Sequence, residues 1–391
     1  MLMRRSSPLL VLFITIFLDL VGFGIIIPIL PIFATNLGAS GFMVGVIATS
    51  YSLFQFFFAP FWGNLSDRLG RRPILLVSIL IVAGSYVLFA HANTLLLLLL
   101  SRILAGIGAA NISAAQAYIS DISKPEDRVK NFGIIGAAFG LGFIIGPMIG
   151  GIIKDNYGVM WVGYFSALMS VFNFILAFFL LRESLKEKNA DKPLFTNPLT
   201  SLAKGFKTPG IQLVMLLNFI FLLAYSKMQI TATLLWNQHF NLNVKEIGYV
   251  FAYIGLMATV IQGTLLGRLN RWLGTKRLLI SGTLFAGVGL LALPYIPPAL
   301  FIPFELIAIT CLSIGSAFIN PTLSTAMSTL SDAKSQGMAL GNLQASGSLA
   351  RTIGPLIGGA LYDWHYGGPY VVGFCLMIAC TYLALKLTKL I

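Results

Sequence analysis

A short charged segment between two apolar runs reads Gly63-Asn-Leu-Ser-Asp67-Arg68-Leu-Gly70-Arg71-Arg72-Pro73. The flanking runs, 42–62 and 74–91, are each close to the ~20 residues with which a helix crosses a bilayer. Four charges within positions 67–72 are too costly to bury in hydrocarbon, so the segment is predicted to be a tight loop at a membrane surface. Its glycines allow close approach and unusual backbone angles, and its proline suits the first turn of the next helix.

The loop recurs later in the chain. The segment 267–277 repeats the glycine spacing of 63–73 at an offset of 204 residues, with Arg271 in the place of Asp67. A loop repeated between the second and third helices of each half predicts two six-helix halves. The expected domains are an N-terminal bundle at 1–181, a cytoplasmic linker at 182–209 and a C-terminal bundle at 210–391.

The composition is that of a membrane protein. The 391 residues are 57% hydrophobic and 10% charged, whereas soluble domains carry about 25% charged residues. We therefore expect an all-α polytopic membrane protein with twelve transmembrane helices in two pseudo-symmetric six-helix bundles. The predicted spans are 8–33, 42–62, 74–92, 94–119, 132–153, 157–181, 211–235, 247–266, 278–296, 299–329, 338–362 and 369–385.

The distribution of lysine and arginine predicts the orientation. With the N-terminus inside, the inner segments hold 21 of the 26 basic residues, and the outer loops hold only Lys154 and Lys245. Inner loops enriched in basic residues are the rule for membrane proteins, so both termini are expected in the cytoplasm. The net charge of +13 is then a consequence of topology, and no basic tract with interleaved aromatics indicates nucleic-acid binding.

Several functional classes lack support in the sequence. The three cysteines fall within predicted spans, the three histidines show no metal-ligand spacing, and no phosphate-binding glycine loop is present. We expect neither an enzyme nor a metal or cofactor site.

Two predicted spans carry a charge near the middle of the membrane. Asp19 lies ~16 Å from the inner end of the first span, and Arg102 lies ~12 Å below the outer end of the fourth, which places them at similar depth. An unpaired carboxylate there costs ~3 kcal/mol, so Asp19 should be protonated, paired or facing water. At 100° per residue Gln116 shares the face of Arg102, whereas Asn111 lies on the opposite face, where helix packing is expected.

Small residues recur at helical spacing in the fifth span, which contains Gly146-Pro147-x-x-Gly150-Gly151. The eleventh span repeats the pattern with Gly354-Pro355 at an offset of 208 residues. Small residues every four positions form a seam along which membrane helices approach closely.

These motifs together resemble the major facilitator superfamily, and within it the drug/proton antiporter branch that contains the tetracycline exporters. The segment 63–73 is similar to the signature loop of the superfamily, and 146–151 is similar to the antiporter motif associated with export. Asp19 followed by two prolines looks like the first helix of the tetracycline exporters. Arg102-x-x-x-Gly-x-Gly resembles the family's proton-coupling motif. The resemblance implies alternating access, with Asp19 and Arg102 as the proton-coupling pair.

The resemblance also implies an inner gate. The family's charge relay, carried onto this chain, joins Asp67, Arg71 and Asp121 as a latch. Arg351, three residues before a Gly-Pro break, is expected to act in gating or coupling. The remaining residues assigned to gating or conformational change are Gly63, Arg68, Gly70, Arg72, Arg128, Gly146, Pro147, Gly150, Gly151, Gly354 and Pro355.

A substrate cavity is predicted from polar and aromatic side chains within the spans. Lys227, on the seventh span, points away from the predicted cavity face and is expected to snorkel outward, although Glu305 could pair either with Lys227 or with Arg351. The residues predicted to line the cavity are Gln116, Asn218, Tyr225, Gln229, Trp236 and Glu305.

The expected function is proton-driven export of a small amphipathic or hydrophobic compound by a monomer in the bacterial cytoplasmic membrane. By alignment this chain has Ser85 and Ala286 where the tetracycline exporters have intramembrane aspartates, which favours a neutral or monocationic substrate over tetracycline. The alternatives are an exporter or symporter of a specific metabolite, siderophore or lipid, and a membrane receptor that does not transport. The expected partners are the substrate, protons and the lipid bilayer.

Overall fold

The computed structural model describes residues 8–123, 128–185, 210–331 and 336–387, together with positions 194, 195, 197, 199, 200, 203 and 206. Within these ranges, side chains are described except at 128–137, 139, 263 and 336–338. The described residues are helical almost throughout and contain no strand.

Within its described residues, the first half of the chain forms eight helical segments. They are α1 Pro8–Ile26, α2 Leu30–Asn36, α3 Gly41–Leu69, α4 Arg71–Ala90, α5 Leu95–Ala109, α6 Ile112–Ile122, α7 Arg128–Tyr157 and α8 Val159–Leu180. Segments α1 and α2 make one membrane helix, and α5 and α6 make another.

The second half forms six long helices. They are α9 Ile211–Gln238, α10 Val244–Val260, α11 Leu266–Ala292, α12 Leu306–Thr329, α13 Gln336–Trp364 and α14 Gly368–Leu387. A π-helical turn, Ile261–Leu265, joins α10 to α11, and a kinked segment, Phe301–Glu305, in which Ile302 has non-helical backbone angles, precedes α12.

Twelve membrane helices result, as the sequence predicts. Within the described ranges, nine helical segments are long and apolar enough to cross a membrane. The predicted spans 132–153, 247–266 and 338–362 fall on α7, α10 and α13, which complete the twelve. The fold class expected from composition is therefore confirmed.

The contacts divide the chain into two units. The first comprises Met1–Gly38, Ser50–Asn197 and Asn243–Ala252, and the second comprises Ala39–Thr49, Pro198–Leu242 and Tyr253–Ile391. The beginning of α3 is thus counted with the second unit and the beginning of α10 with the first. The bounds expected from the sequence, 1–181 and 210–391, stay a prediction.

Both units repeat one packing pattern. In the first unit α1 packs on α7 and α8, and α4 packs on α5 and α8. In the second unit α9 packs on α13 and α14, and α11 packs on α12 and α14. The loop repeat seen in the sequence thus has a counterpart in helix packing.

The paired loops both turn at a glycine. Gly70 has φ 120°, and Gly274, at the equivalent place in the copy, has φ 72°. Residues other than glycine rarely adopt these backbone angles, which explains why both loops carry glycine at this position. Gly274 interrupts α11, so the residues after it form the ninth membrane helix.

The small residues of α7 form a close seam with α1. A methyl group on Gly146 would lie 2.7 Å from the carbonyl oxygen of Val21 and 2.8 Å from Cα of Gly24. A methyl group on Gly150 would collide with the carbonyl oxygen of Ile25. The repeat in α13 packs in the same way, because a methyl group on Gly358 would lie only 2.8 Å from Cβ of Lys227 on α9.

Each unit contains a carboxylate that accepts a hydrogen bond from the backbone at the start of another helix. In the second unit, Asp363 accepts from the N–H groups of Gly41 and Phe42, with N–O distances of 2.6 and 2.7 Å. In the first unit, Asp155 accepts from the N–H of Lys245 at 3.2 Å. These acidic residues are 208 positions apart, the same offset as the paired Gly-Pro motifs of α7 and α13.

Gly146→Leu should inactivate the protein, because a leucine side chain would force α1 and α7 apart. Overpacking of this kind costs about 1–3 kcal/mol or more. The measurement is thermal unfolding of the purified protein together with transport in vesicles. Gly84→Leu is the matched control, since Gly84 is an exposed helical glycine with open space around its Cα. Equal stability and transport for both variants would contradict the seam.

Candidate functional site

Asp19 is held by two asparagine side chains. Its Oδ1 accepts from Nδ2 of Asn173 on α8 at 3.0 Å, and its Oδ2 accepts from Nδ2 of Asn111 at 3.4 Å. Asn111 also donates to the hydroxyl of Ser78 at 2.8 Å, and Asn173 donates to the carbonyl oxygen of Thr15 at 3.0 Å. Both partners of the carboxylate are therefore neutral side chains that are fixed by further hydrogen bonds.

The expectation that Asn111 serves helix packing away from this site is wrong. The fourth span is not one continuous helix, because α5 ends at Ala109 and α6 begins at Ile112. Counting 100° per residue through this break assigns Asn111 to the wrong face. At the break its amide reaches Asp19.

Arg102 forms no ion pair with Asp19 among the described residues. It is 3% exposed, its Nε donates to the hydroxyl of Ser101 at 3.4 Å, and its guanidinium carbon lies 5.1 Å from the centre of the Phe89 ring. Stacking on an aromatic face stabilises a cation in an apolar environment. The side chains of Asp19 and Arg102, expected from their depth to attract each other directly, are therefore held by different partners.

Tyr86 is buried beside this site. Its side chain is 3% exposed and lies within electrostatic range of both Arg102 and Asp19. Its hydroxyl packs against Gly22, where an added methyl group would lie only 2.8 Å away. Tyr86 on α4 thus belongs to the same site as Asp19 and Arg102.

Sequence reasoning missed Asn173 and the role of Tyr86. A signal for Asn173 was available, since an amide in the apolar helix α8 needs a hydrogen-bond partner within the protein. Nothing in the spacing distinguishes Tyr86 from an ordinary packing residue.

The residues predicted to form the inner latch lie together. Arg71 forms an ion pair with Asp67, and its Nε donates to Oδ2 of Asp121 at 3.0 Å. Its Nη1 also donates to the hydroxyl of Ser66 at 2.7 Å. Arg71 is 6% exposed, so these bonds are largely shielded from solvent. The assigned role in gating stays a prediction.

Glu183, which sequence reasoning assigned to the linker, completes this network. Its carboxylate accepts from the backbone N–H of Arg71 at 2.9 Å and of Arg72 at 3.2 Å. A carboxylate at a helix N-terminus satisfies free N–H groups and interacts favourably with the helix dipole. Arg72 in turn donates from Nη2 to the carbonyl oxygen of Phe178 at 2.6 Å. The signature loop is thus held from α3, α6 and the end of α8.

The other residues assigned to gating have varied settings. Gly63 packs beside Ser113 of α6, Arg351 donates from Nη2 to the hydroxyl of Ser348 at 3.2 Å, and Gly354 packs against Ser226. A methyl group on Gly151 would lie 2.7 Å from Cα of Lys245. The side chain of Arg128 lies outside the described residues.

The residues predicted to line a cavity separate into two groups. Gln116, Tyr225 and Gln229 are partly exposed. Asn218 is 5% exposed and donates to the carbonyl oxygen of Leu343 at 2.8 Å, which fixes α9 to α13. Trp236 and Glu305 are each 0% exposed, and Nε1 of Trp236 donates to Oε1 of Glu305 at 2.7 Å. The latter three side chains are buried within the second unit, and their assignment to a substrate cavity stays a prediction.

Lys227 does not snorkel outward. It is 0% exposed, and its side chain passes between helices where Gly358 of α13 and Gly373 of α14 leave room. The expectation was wrong because the face opposite the predicted cavity is covered by other helices and does not face lipid. Among the described residues its Nζ has no hydrogen-bond partner and no ion pair with Glu305.

The two positions that the sequence analysis matched to intramembrane aspartates of the tetracycline exporters, Ser85 and Ala286, are buried. Ser85 is 0% exposed and its hydroxyl donates to the carbonyl oxygen of Val82 in the same helix at 2.6 Å. Ala286 is 0% exposed and packs closely against Gly315. No group of three or more His, Cys, Asp or Glu side chains suited to a metal ion occurs in the described part of the chain.

Comparison with known proteins places this geometry in context. The family model described as Major Facilitator Superfamily matches residues 12–332 and 273–390. The tetracycline resistance protein, class C, of Escherichia coli is 32% identical over 391 residues, covering 97% of this chain and 96% of the relative. Multidrug resistance protein 2 of Bacillus subtilis (strain 168) is 28% identical, covering 96% and 94%.

Solved structures share the fold. The human organic anion transporter MFSD10 superposes with a TM-score of 0.72 at 24% identity, covering 97% of this chain and 100% of that chain. The nucleoside transporter NupG superposes with a TM-score of 0.80 at 14% identity, covering 97% and 100%.

Arg71→Gln should lower the thermal stability of the protein and loosen the loop. Each hydrogen bond to a charged group contributes about 1.5–3 kcal/mol, and the substitution leaves Asp67 and Asp121 without their common cation. The measurement combines the unfolding temperature with thiol labelling of a cysteine introduced at Leu69. Lys276→Gln, at an exposed cation of the second loop, is the control. Identical unfolding and labelling in both variants would refute the latch.

Proposed function

The chain belongs to the major facilitator superfamily of membrane transporters, and we propose that it exchanges protons for a small amphipathic or hydrophobic compound, which it exports. Its proposed location is the bacterial cytoplasmic membrane, with both termini in the cytoplasm. The proposal is supported most directly by Asp19, an intramembrane carboxylate whose two hydrogen-bond donors are neutral amides.

The surroundings of Asp19 suit a group that gains and loses a proton. A carboxylate in a membrane helix is costly unless it is stabilised, and two N–H donors reduce this cost without adding a fixed positive charge. A salt-bridged carboxylate would instead be held in its charged form. Asp19 can thus be either neutral or charged without the loss of its protein partners.

Arg102 supplies the long-range component of the coupling. The guanidinium is shielded from water, stacks on Phe89 and interacts with Tyr86, which also interacts with Asp19. In a medium of low dielectric constant, a change of charge on Asp19 acts on neighbouring polar groups more strongly than it would in water. Proton binding at Asp19 would therefore alter the electrostatic field around the site and favour one conformation over another.

The relatives support a drug-like substrate. Proteins named for tetracycline resistance and multidrug resistance cover nearly the whole chain at 32% and 28% identity. The replacement of two family aspartates by Ser85 and Ala286 favours neutral compounds and lipophilic monocations over a charged, metal-chelated drug. Tyr225 and Gln229, both partly exposed, offer stacking and hydrogen bonding.

A second candidate is transport of an organic anion. Arg102 carries an Nη2 atom without a hydrogen-bond partner among the described residues, and a guanidinium donor of this kind suits a carboxylate or sulfonate. The human organic anion transporter MFSD10 shares the fold at 24% identity. This candidate predicts that loss of Arg102 abolishes binding, whereas proton exchange predicts loss of coupling.

Asp19→Asn should abolish accumulation driven by a pH gradient and retain counterflow, because asparagine keeps an acceptor oxygen but exchanges no proton. The measurement is uptake of ethidium by inside-out proteoliposomes with and without the gradient. Glu246→Gln is the control, because Glu246 is an exposed acid. Its carboxylate accepts a hydrogen bond from the backbone N–H of Asn243 at the start of its own helix. Undiminished accumulation by Asp19→Asn would exclude Asp19 as the proton site.

The substrate preference can be tested with a susceptibility panel in a host that lacks its own drug pumps. We expect the protein to protect against ethidium and neutral amphiphiles and to protect poorly against tetracycline. Asp19→Asn should remove the protection. Strong tetracycline resistance that depends on Asp19 would contradict the stated preference and support the substrate of the tetracycline resistance relatives. Selective extrusion of fluorescein, an organic anion, would favour the second candidate.

A further inference from the structure

The second unit contains an acidic site of its own, away from Asp19. Glu305 lies at the end of the kinked segment Phe301–Glu305, immediately before α12, and is 0% exposed. Its neighbours come from α9 and α14, and they include Trp236 and Tyr370, which are each 0% exposed. A carboxyl group buried among aromatic side chains requires an explanation, because glutamate is almost never fully buried without a partner.

The two oxygens of Glu305 differ in their partners. Oε1 accepts from Nε1 of Trp236 at 2.7 Å, whereas Oε2 has no hydrogen-bond partner within the described residues. The Tyr370 hydroxyl lies within electrostatic range of Glu305, with Thr231 beside it and Tyr362 of α13 also in range. Thr231 is uncharged, and Tyr362 and Tyr370 are uncharged as long as their phenols are protonated. Among the residues that the structure describes, the site offers one neutral N–H donor and no cation.

Lys227 is not the counter-ion of Glu305. It precedes Trp236 by nine residues on α9, which corresponds to ~13.5 Å along the helix and to the opposite face. Its side chain instead lies beside Gly373 and within electrostatic range of Cys375, both on α14. An ionised Glu305 would therefore be a buried anion without a balancing charge, at a cost of several kcal/mol.

We propose that Glu305 is a second proton-carrying group, so that each unit of the transporter carries one exchangeable proton on a buried carboxyl. In the sealed site the proton resides on Oε2, while Oε1 keeps its bond from Trp236. The proton leaves to water when the transport cycle opens this region and returns from water on the other side. This inference rests on the proposed proton exchange and adds a second proton to it.

The number of coupled protons is the decisive measurement. With the membrane potential collapsed, each exchanged proton multiplies the steady accumulation of ethidium by about ten for one unit of pH gradient. Glu305→Gln keeps an acceptor for Trp236 and cannot release a proton. We expect the variant to reach a steady accumulation ratio about tenfold below that of the parent, because the ratio depends on the number of protons and not on the affinity for ethidium. Glu305→Asp retains a carboxyl group and should restore the ratio.

The outcomes separate the two proposals. A parent protein that shows no proton-driven accumulation refutes the proposed function itself. A proton-driven parent whose ratio is matched by Glu305→Gln refutes the second proton and leaves Glu305 a structural hydrogen-bond acceptor.

A substrate-independent measurement tests the group directly. The apolar reagent dicyclohexylcarbodiimide modifies protonated carboxyl groups in membranes, and mass spectrometry identifies the modified residue. We expect the reagent to modify Glu305 in the parent protein and to modify it less as the pH is raised. If Asp19 is labelled and Glu305 is labelled at no pH, the inference is overturned. This test holds even if the substituted variants fail to insert.

Discussion

Removing a charge from water is the constraint on which this structure depends. Inside hydrocarbon a charged side chain costs ~3 kcal/mol by the most lenient measures, and unpaired backbone groups cost a similar amount. The backbone meets this constraint by being helical. The charged side chains meet it in different ways: Asp19 by amide donors, Arg102 by an aromatic face and Arg71 by two carboxylates. At Glu305 only one oxygen has a donor, the indole N–H of Trp236, and Oε2 has no hydrogen-bond partner among the described residues.

The fold could be predicted from the sequence because hydrophobic length and the repeated loop depend on local composition. Twelve spans, a loop glycine in each half and the glycine seam of α7 all follow from short segments whose physical requirements are strict. The association of Arg71 with Asp121 was accessible only through resemblance to a family, since no spacing rule joins residues on separate helices.

The site was predicted less completely, and the reasons are physical. Asn111 was misassigned because helical periodicity assumes an unbroken helix, and the break between α5 and α6 changes the direction of its side chain. Lys227 was misassigned because one face of a membrane helix does not reveal whether lipid or another helix covers it. Glu183 was missed because capping of α4 depends on where the end of α8 arrives in space.

The two units share their packing but not their charges. The first loop holds Arg71 between two acids, whereas the equivalent positions of the second loop carry Arg271 and Thr275, and the Thr275 hydroxyl donates to Oδ1 of Asn270 at 3.3 Å. Duplication thus preserved the backbone turn at Gly70 and Gly274, while the ionic network belongs to the first copy.

The Asp363 carboxylate of α13 restricts how the start of α3 can separate from it. Its oxygens accept from two successive N–H groups at the start of α3, at 2.6 and 2.7 Å. A small displacement would break both bonds together and leave a carboxylate and two helix-end donors to be hydrated at once. Water can satisfy these groups only after the gap is wide enough to admit it. Intermediate separations are therefore the most costly, because the carboxylate and the two N–H groups would then lack both each other and water.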